Sequence, residues 1–174
     1  MIALVAPGHG HIDALLAFEL ENRVFFEATI NARPAFYYSR EGVGLAVAQA
    51  MADVYADTGY QYLAVDAPGQ ILGRVNLSMV KRAHYHSAVL GYRVGQAHGG
   101  KGVAGEAVRQ VLEIAFDQLR LQRIEADCRI DNLASKRVLE RNGFVQFGHS
   151  RRSFELGGVW YDRLHFERHA PERG

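Results

Sequence analysis

The chain has 174 residues, of which 48% are apolar and 22% charged, and its formal net charge is +1. This length and composition predict one globular domain over residues 1–174 and exclude a disordered chain, while the near-neutral charge argues against a dedicated nucleic-acid-binding or membrane-surface protein. No apolar run approaches the ~20 residues that span a bilayer, and the start of the sequence has no signal-peptide pattern. The single cysteine, Cys128, excludes an internal disulfide. We therefore expect a cytoplasmic protein.

The first part of the chain predicts a short strand and a helical region. Residues 2–5 fit a strand, and the apolar positions between residues 12 and 27 predict one or two helices. A break is expected at residues 31–35, because the proline there disfavours a helical conformation at the residue before it. A further helix is expected from residue 39 or 41 to residue 57, and Thr58-Gly59 provides a typical C-terminal stop.

The rest of the chain alternates strand-like segments with two amphipathic helices. Strands are predicted over residues 60–65, 71–80 and 84–94, a helix over 101–120, a strand over 123–130, a helix over 132–142, and a closing hairpin over 144–154 and 159–166. The resulting order of elements, β-α-α-β-β-β-α-β-α-β-β, predicts an α+β fold in which helices cover one mixed sheet.

A glycine cluster lies at the predicted junction between the strand over 84–94 and the long helix. Gly99, Gly100 and Gly102 leave little side chain between a ligand and the main-chain N–H groups. The helix that follows directs the positive end of its dipole and its unpaired first-turn N–H groups into this loop. The arrangement predicts an anion site, and phosphate is a common ligand of such sites.

Three interpretations of this loop stay open: a turn without a ligand, a nucleoside triphosphate-binding loop, and the diphosphate-binding loop of an acyl-CoA-dependent enzyme. The second interpretation requires Gly-x-x-x-x-Gly-Lys followed by Ser or Thr. Gly95, Gly100 and Lys101 match this pattern, whereas Gly102 occupies the position of the hydroxyl that would bind Mg²⁺. The loop also follows a meander, where the triphosphate-binding loop would follow a strand of a parallel βαβ series.

Two motifs in the expected order strengthen the third interpretation. Residues 99–104 resemble the loop motif of the GNAT acetyltransferase superfamily, Gln/Arg-x-x-Gly-x-Gly/Ala, with Gly99 where Gln or Arg is usual. Residues 132–144 resemble the Asn-x-x-Ser…Asn-Gly-Phe helix of the branch that acetylates the N-termini of ribosomal proteins. Residues 160–162, Trp-Tyr-Asp, resemble the aromatic-Asp segment near the end of that branch. The resemblance covers nearly the whole chain in the order of its elements.

The resemblance implies a GNAT-like fold: a mixed, mostly antiparallel sheet of about six or seven strands, flanked by about four helices, with a splayed strand pair holding the CoA arm. It implies an N-acetyltransferase that moves an acetyl group directly from acetyl-CoA, as the acyl-donor substrate, to a primary amine. A protein or peptide N-terminal α-amine is one acceptor class. A small-molecule amine or antibiotic stays open as the acceptor, as does a non-catalytic acyl-CoA-binding module. The edge of the C-terminal hairpin would suit a homodimer.

The implied coenzyme site combines the strand before the loop, the loop itself, and the helix after Asn132. Main-chain N–H groups of residues 100–104 would bind the diphosphate, basic side chains at the rim would bind the 3′-phosphate, and the strand over 90–94 would pair with the pantetheine arm. Asn132 is also expected to cap its helix. For any one basic residue, a solvated helix face is an ordinary alternative. The expected coenzyme-binding residues are Leu90, Tyr92, Val94, Gly99, Gly100, Lys101, Gly102, Val103, Ala104, Asn132, Lys136 and Arg137.

Candidates for proton transfer come from the same two regions. Ser135 would face the thioester sulfur and return a proton to the thiolate, or it is a surface serine. Related enzymes often carry a Glu base close to the position of Val89, and residues 84–94 contain no carboxylate. His84 and His86 share one face of the predicted strand, and an imidazole pKa near ~6.5 suits base catalysis. A structural role stays open for both histidines.

The absence of a carboxylate near position 89 affects which amines can act as acceptors. An α-amino group has a pKa of about 7.7–8, against about 10.4 for lysine, so a site without a strong base acts more easily on the former. No metal is expected, because the histidines in residues 8–13 and 84–86 lack partner ligands in the sequence. Cys128 fits a small core residue, so transfer without a covalent acyl-enzyme is expected.

Overall fold

The structure, a computed structural model, describes residues 1–172. The strands among these residues are β1 Ala3–Val5, β2 Tyr60–Val65, β3 Ile71–Lys81, β4 Ser87–Val94, β5 Arg123–Arg129, β6 Val145–Leu156 and β7 Val159–His169. They form one seven-stranded sheet in the order β1-β2-β3-β4-β5-β7-β6 over the described part of the chain. All neighbouring strands are antiparallel except β4 and β5. The mixed, mostly antiparallel sheet expected from the sequence is therefore confirmed.

The parallel pair β4 and β5 separates after a short paired stretch. Residues 87–89 of β4 pair with residues 123–125 of β5. Beyond Val89, β4 stays paired with β3 on its other side, from Leu90 opposite Leu77 to Val94 opposite Gly73. The edge of residues 90–94 that faces β5 is thus left without a strand partner, which is the splayed strand pair that the sequence resemblance implies.

The α-helices within residues 1–172 are α1 Ile12–Glu27, α2 Arg40–Tyr55, α3 Val103–Glu113 and α4 Leu133–Arg141. The region over residues 12–27 is therefore one helix, where the sequence left one or two open. A wider helical turn over Ile114–Gln118 extends α3. Among the described residues, no helix is long and apolar enough to cross a bilayer.

The two helix pairs lie on opposite faces of the sheet. Leu15 of α1 and Val47 of α2 pack with Leu63 of β2 in one core. A larger core on the other face joins α3 and α4 to the sheet, with Val108 and Leu139 among its fully buried side chains. Since α1 and α2 pack against β2 and β3, they cover only the first half of their face. The same face of β5, β7 and β6 is left open to solvent.

Strand β5 has one face that is buried by helices and one face that is not covered. Its even-numbered residues Ile124, Ala126 and Cys128 are buried against α3 and α4. Its odd-numbered residues, from Arg123 to Arg129, project to the opposite face, as the period of two in a strand requires. Polar side chains therefore stand along the floor of the uncovered half of the sheet.

Two predicted boundaries are wrong for conformational reasons. The strand expected over residues 84–94 begins at Ser87, because His84 and His86 take φ angles of 70° and 44° in the turn after β3. The helix expected from residue 101 begins at Val103, because Gly102 takes a φ angle of 81° and ends the glycine turn. Left-handed backbone interrupts a strand or a helix at these points.

Candidate active site

The glycine turn over residues 95–102, between β4 and α3, lies at the mouth of the gap between β4 and β5. Gly100 and Gly102 have φ angles of 71° and 81°, and a Cβ at either position would meet no atom within 4 Å. Glycine is thus required there by the backbone angle, and the surrounding space is free. Gly102 caps α3 without a side chain, so the N–H groups of the first helical turn face the gap uncapped. This geometry fits a diphosphate.

A cleft of about 710 Å³ fills the space between the diverging strands. The C-terminal end of α1 forms one wall, α4 forms the opposite wall, and the glycine turn closes one end. Its volume is in the usual range for a site that binds a small molecule or coenzyme arm, roughly 300–1,000 Å³.

Most of the residues expected from the sequence to bind the coenzyme or act in catalysis line this cleft. They are Tyr92, Val94, Gly99, Gly100, Gly102, Val103, Ala104, Asn132, Ser135 and Arg137. Three other candidates for coenzyme binding do not line it. Leu90 is buried in the core, Lys101 projects into solvent from the glycine turn, and Lys136 lies on α4 with its Nζ 3.8 Å from Glu140 Oε1.

A tyrosine and a serine meet at the bottom of the cleft. The hydroxyl of Tyr92 on β4 lies 2.7 Å from Oγ of Ser135 on α4, and it donates to the Ser135 carbonyl oxygen at 3.1 Å. Asn132 caps α4 by accepting from the Ser135 main-chain N–H at 3.0 Å, as predicted. Burial raises the pKa of Tyr92 to about 12, so its hydroxyl keeps its proton at any physiological pH.

The two histidines considered as bases lie elsewhere. His84 and His86 are exposed in the turn between β3 and β4, at the paired end of β4. The cleft begins at the other end of the strand, beyond Val89. The prediction that they share a strand face is wrong, and the structure does not bring either imidazole to the cleft.

A polar group on the uncovered face of the sheet is not among the residues predicted from the sequence. Asp127 of β5 lines the cleft and pairs with Arg163 of β7, whose Nε donates to Oδ1 at 2.6 Å. His165 stands opposite Asp127 in the β5–β7 ladder. Because successive side chains of a strand point to opposite faces, the sequence could have placed Asp127 on the face opposite Cys128. Cys128 itself is 3% exposed, and burial raises the pKa of its thiol.

A second missed feature is a buried ion cluster beside the cleft. The carboxylate of Glu19 on α1 is 1% exposed and lies 2.6 Å from Arg74, 2.8 Å from Arg93 and 3.8 Å from Arg33, measured from Oε1 to the guanidinium nitrogens. Arg74 also donates to the hydroxyl of Tyr37 at 2.9 Å. Burial alone would raise the pKa of Glu19, but the nearby Arg93 and Arg74 guanidinium groups outweigh it and hold the pKa below its usual value. Glu19 lies in an amphipathic helix pattern, and nothing in that pattern marks it as buried.

Within residues 1–172, no group of three or more His, Cys, Asp or Glu side chains is arranged to hold a metal ion. The cleft itself presents hydrogen-bond donors, charged side chains and an open strand edge. These features provide a place for an extended ligand along β4, an anion at the glycine turn, and hydroxyl groups at the point between them.

Comparison with known proteins gives matches over most of the chain. Residues 4–145 match the family model described as an acetyltransferase (GNAT) domain. A probable N-acetyltransferase of Bacillus subtilis (strain 168), YjcK, is 36% identical over 148 residues, which cover 84% of this chain and 82% of the relative.

Solved structures share the architecture. The ribosomal-protein-S5-alanine acetyltransferase from Vibrio fischeri has a TM-score of 0.90 at 22% identity, over 97% of this chain and 91% of that protein. The spermidine N-acetyltransferase from Vibrio cholerae, solved in complex with CoA and spermine, has a TM-score of 0.82 at 20% identity, over 97% and 95% of the two chains. At these identities the likeness shows the fold, and it confirms the GNAT-like arrangement expected from the sequence.

Proposed function

The chain belongs to the GNAT acetyltransferase family and is an acyltransferase, and from this premise we propose that it transfers an acetyl group from acetyl-CoA to the N-terminal α-amine of a protein or peptide. The observation that carries the proposal is the cleft between β4 and β5, which has an uncapped helix N-terminus at one end and an open strand edge along one side. The paired hydroxyl groups of Tyr92 and Ser135 lie among the residues that line this cleft.

The residues around the cleft fit the parts of acetyl-CoA one by one. The N–H groups of residues 100–104 suit the diphosphate, and residues 90–94 offer the unpaired edge to which the amide groups of pantetheine can add as an extra strand. Arg137 lines the cleft, and Lys101 and Lys136 lie outside it, where basic side chains suit the 3′-phosphate. Gly99 lacks the side-chain donor that Gln or Arg would supply at this position, but the main-chain N–H donors of the loop are unchanged.

The acetyl group would pass directly from the thioester to the amine within a complex of both substrates. The neutral amine nitrogen attacks the thioester carbonyl carbon to form a tetrahedral oxyanion, and the carbon–sulfur bond breaks as the carbonyl re-forms. The nitrogen gives up one proton to solvent, the thiolate gains one from Ser135, and the hydroxyl pair regains its proton from solvent, so one proton passes in total from nitrogen to sulfur. A main-chain N–H of residues 90–94 would stabilise the oxyanion. Ser135 is placed to return the proton to sulfur, with Tyr92 behind it at 2.7 Å. The protonated, buried thiol of Cys128 is a poor nucleophile, which supports direct transfer.

The acceptor amine needs little help to lose its proton. An α-ammonium with a pKa of about 8 is half neutral at that pH, so the missing carboxylate at Val89 is tolerated. Lysine side chains, with a pKa of about 10.4, would be far poorer acceptors at the same pH. The face of β5, β7 and β6 that α1 and α2 do not cover leaves an open approach for the acceptor.

A thiol-release assay with acetyl-CoA tests the proposal. The panel contains Ala- and Ser-initiated peptides, the same peptides with a blocked N-terminus and a free lysine, and spermidine. We expect CoA release with unblocked peptides and an added acetyl group on the α-amine by mass spectrometry. Turnover of spermidine alone would favour a small-amine acetyltransferase. Tight acetyl-CoA binding with no release from any acceptor would favour a non-catalytic binding module.

A further inference from the structure

The wall of the cleft formed by α1 and β4 carries more positive charge than its own residues neutralise. Three guanidinium groups, from Arg33, Arg74 and Arg93, surround the single carboxylate of Glu19, which leaves a net charge of +2. Charged groups in a poorly solvated position are costly unless they are paired. The cluster therefore favours an additional anion.

Only one of the two arginines that lie closest to Glu19 lines the cleft. Arg93 lines it, whereas Arg74 lies behind, between Glu19, Tyr37 and Gln61. Among residues 1–172, the hydrogen bond of the Arg93 guanidinium goes from Nη2 to Glu19 Oε1 at 2.8 Å. The ring of Phe26 covers the guanidinium, with its centroid 4.9 Å from Cζ. The remaining N–H groups of Arg93 are available to a ligand in the cleft.

The electrostatic state of Arg93 agrees with this view. Burial lowers its pKa, Glu19 opposes that effect, Arg74 and Arg33 add to it, and the pKa falls to about 10. A bound anion would raise the pKa again, because an opposite charge favours the charged form of the guanidinium.

The diphosphate of the coenzyme is not the anion that this side chain suits. Leu90 and Tyr92 point to the α3–α4 face of the sheet, whereas Arg93 points to the α1 face, toward the acceptor side. The carboxylates that line the cleft do not supply the negative charge that would pair with Arg93 either. Asp127 is paired with Arg163, and Asp131 with Arg129. The charge of Arg93 therefore faces whatever enters from the acceptor side.

We propose that Arg93 forms an anion subsite for the acceptor, so that the preferred acceptor carries a carboxylate close to its reactive amine. The proposal rests on the proposed function and narrows its substrate class. The carboxylate comes from an acidic side chain near a peptide N-terminus or from the α-carboxylate of a free amino acid. A polyamine, which brings further positive charge to this wall, is a poor acceptor.

Arg74 provides the control for a purely structural role, because it contacts the same Glu19 oxygen without lining the cleft. If the cluster only fixes α1 to the sheet, Arg93→Gln and Arg74→Gln lower the melting temperature and leave acceptor preference unchanged. If Arg93 binds the acceptor, Arg93→Gln alone changes the preference. Arg93→Gln should fold, since Arg74 still neutralises Glu19 at 2.6 Å.

The experiment compares kcat/KM for Ala-initiated peptides that carry one Glu at position two, three or four with matched peptides that carry Gln. Free alanine, alanine amide and spermidine are further acceptors, and the enzymes are the wild type, Arg93→Gln, Arg93→Lys, Arg74→Gln and the surface control Arg109→Gln. We expect wild type to prefer at least one Glu peptide by about tenfold or more, the size of a charge-assisted hydrogen bond. Arg93→Gln should abolish this preference, and Arg93→Lys should keep part of it. A preference for free alanine over alanine amide would identify the α-carboxylate as the source.

Each other outcome overturns a separate statement. Equal rates for Glu and Gln peptides, with spermidine as good as either, would overturn the anion subsite and leave peptide acetylation intact. A preference that survives in Arg93→Gln would overturn the assignment to Arg93. Acetyl-CoA binding without turnover of any peptide or amino acid would overturn the proposed function and the subsite together.

Discussion

The contact between Tyr92 and Ser135 allows a quantitative test of the proposed proton transfer. The two hydroxyl oxygens are 2.7 Å apart, and the second hydrogen bond of Tyr92 goes to the Ser135 carbonyl oxygen at 3.1 Å. If Ser135 protonates the departing thiolate and takes the Tyr92 proton as Tyr92 regains one from solvent, the pair acts as a single donor. Ser135→Ala and Tyr92→Phe then remove the same step, and the double variant should be no slower than the slower single variant.

The size of the effect follows from the leaving group. General acid catalysis contributes about 10²–10⁴-fold in favourable cases. A thiol with a pKa near ~8.5 leaves without much assistance, so the loss in kcat should lie at the low end, about tenfold to hundredfold. The KM for acetyl-CoA should change less than threefold or so, because neither hydroxyl is required to bind the diphosphate.

Steady-state kinetics with a peptide acceptor and direct detection of CoA provide the measurement. Ser153→Ala is the matched control, since this serine lies on β6 and bonds Ser150 Oγ at 2.6 Å, away from the cleft. Thermal unfolding checks that Tyr92→Phe loses no more than the ~1 kcal/mol of an ordinary hydrogen bond. Unchanged kcat in both single variants, or losses that multiply in the double variant, would refute the two-hydroxyl relay.

Three further predictions follow from the cleft and its surroundings. Gly102→Ala and Gly69→Ala should each lower the free energy of unfolding by about 1–2 kcal/mol, because both positions have a positive φ angle and free space around them. Only Gly102→Ala should raise the KM for acetyl-CoA. Equal KM values for the two variants would contradict the placement of the diphosphate. His84→Gln and His86→Gln should keep kcat within about twofold, since neither imidazole reaches the cleft, and a loss of roughly 10²-fold in kcat would revive a base role. With a peptide acceptor, kcat/KM should rise with pH through the acceptor pKa of about 8 and level off up to about pH 9, because Tyr92 keeps its proton up to a pKa of about 12 and Arg93 keeps its charge up to a pKa of about 10. A fall that begins below about pH 9 would contradict those assignments.

Much of the fold could be predicted from the sequence because its signals are local. The period of 3.6 in α2, the proline break at residues 31–35 and the Asn-Gly stop after α4 each act within a few residues. The glycine turn could be recognised for the same reason. Gly100 and Gly102 need angles that other residues rarely adopt, and the following helix needs no side-chain cap if an anion binds there.

The acceptor side could not be predicted in this way, because its residues meet only in the folded sheet. Glu19 is brought to Arg74 and Arg93 by the packing of α1 on β3 and β4, and no local pattern encodes that contact. The predicted strand position of His84 and His86 is wrong because a local pattern is present but misleading. Their alternation fits a strand, but the turn before Ser87 requires positive φ angles at both, and alternation carries no information on that conformation.

Acetyl-CoA is proposed to lie between β4 and β5, and a crystal structure of the complex with CoA tests this placement most directly. We predict the diphosphate oxygens within hydrogen-bonding distance of the N–H groups of residues 100–104 and the pantetheine amides paired with residues 90–94. The sulfur should lie next to Ser135 Oγ. Coenzyme bound elsewhere on the surface, with the cleft free of it, would contradict the account.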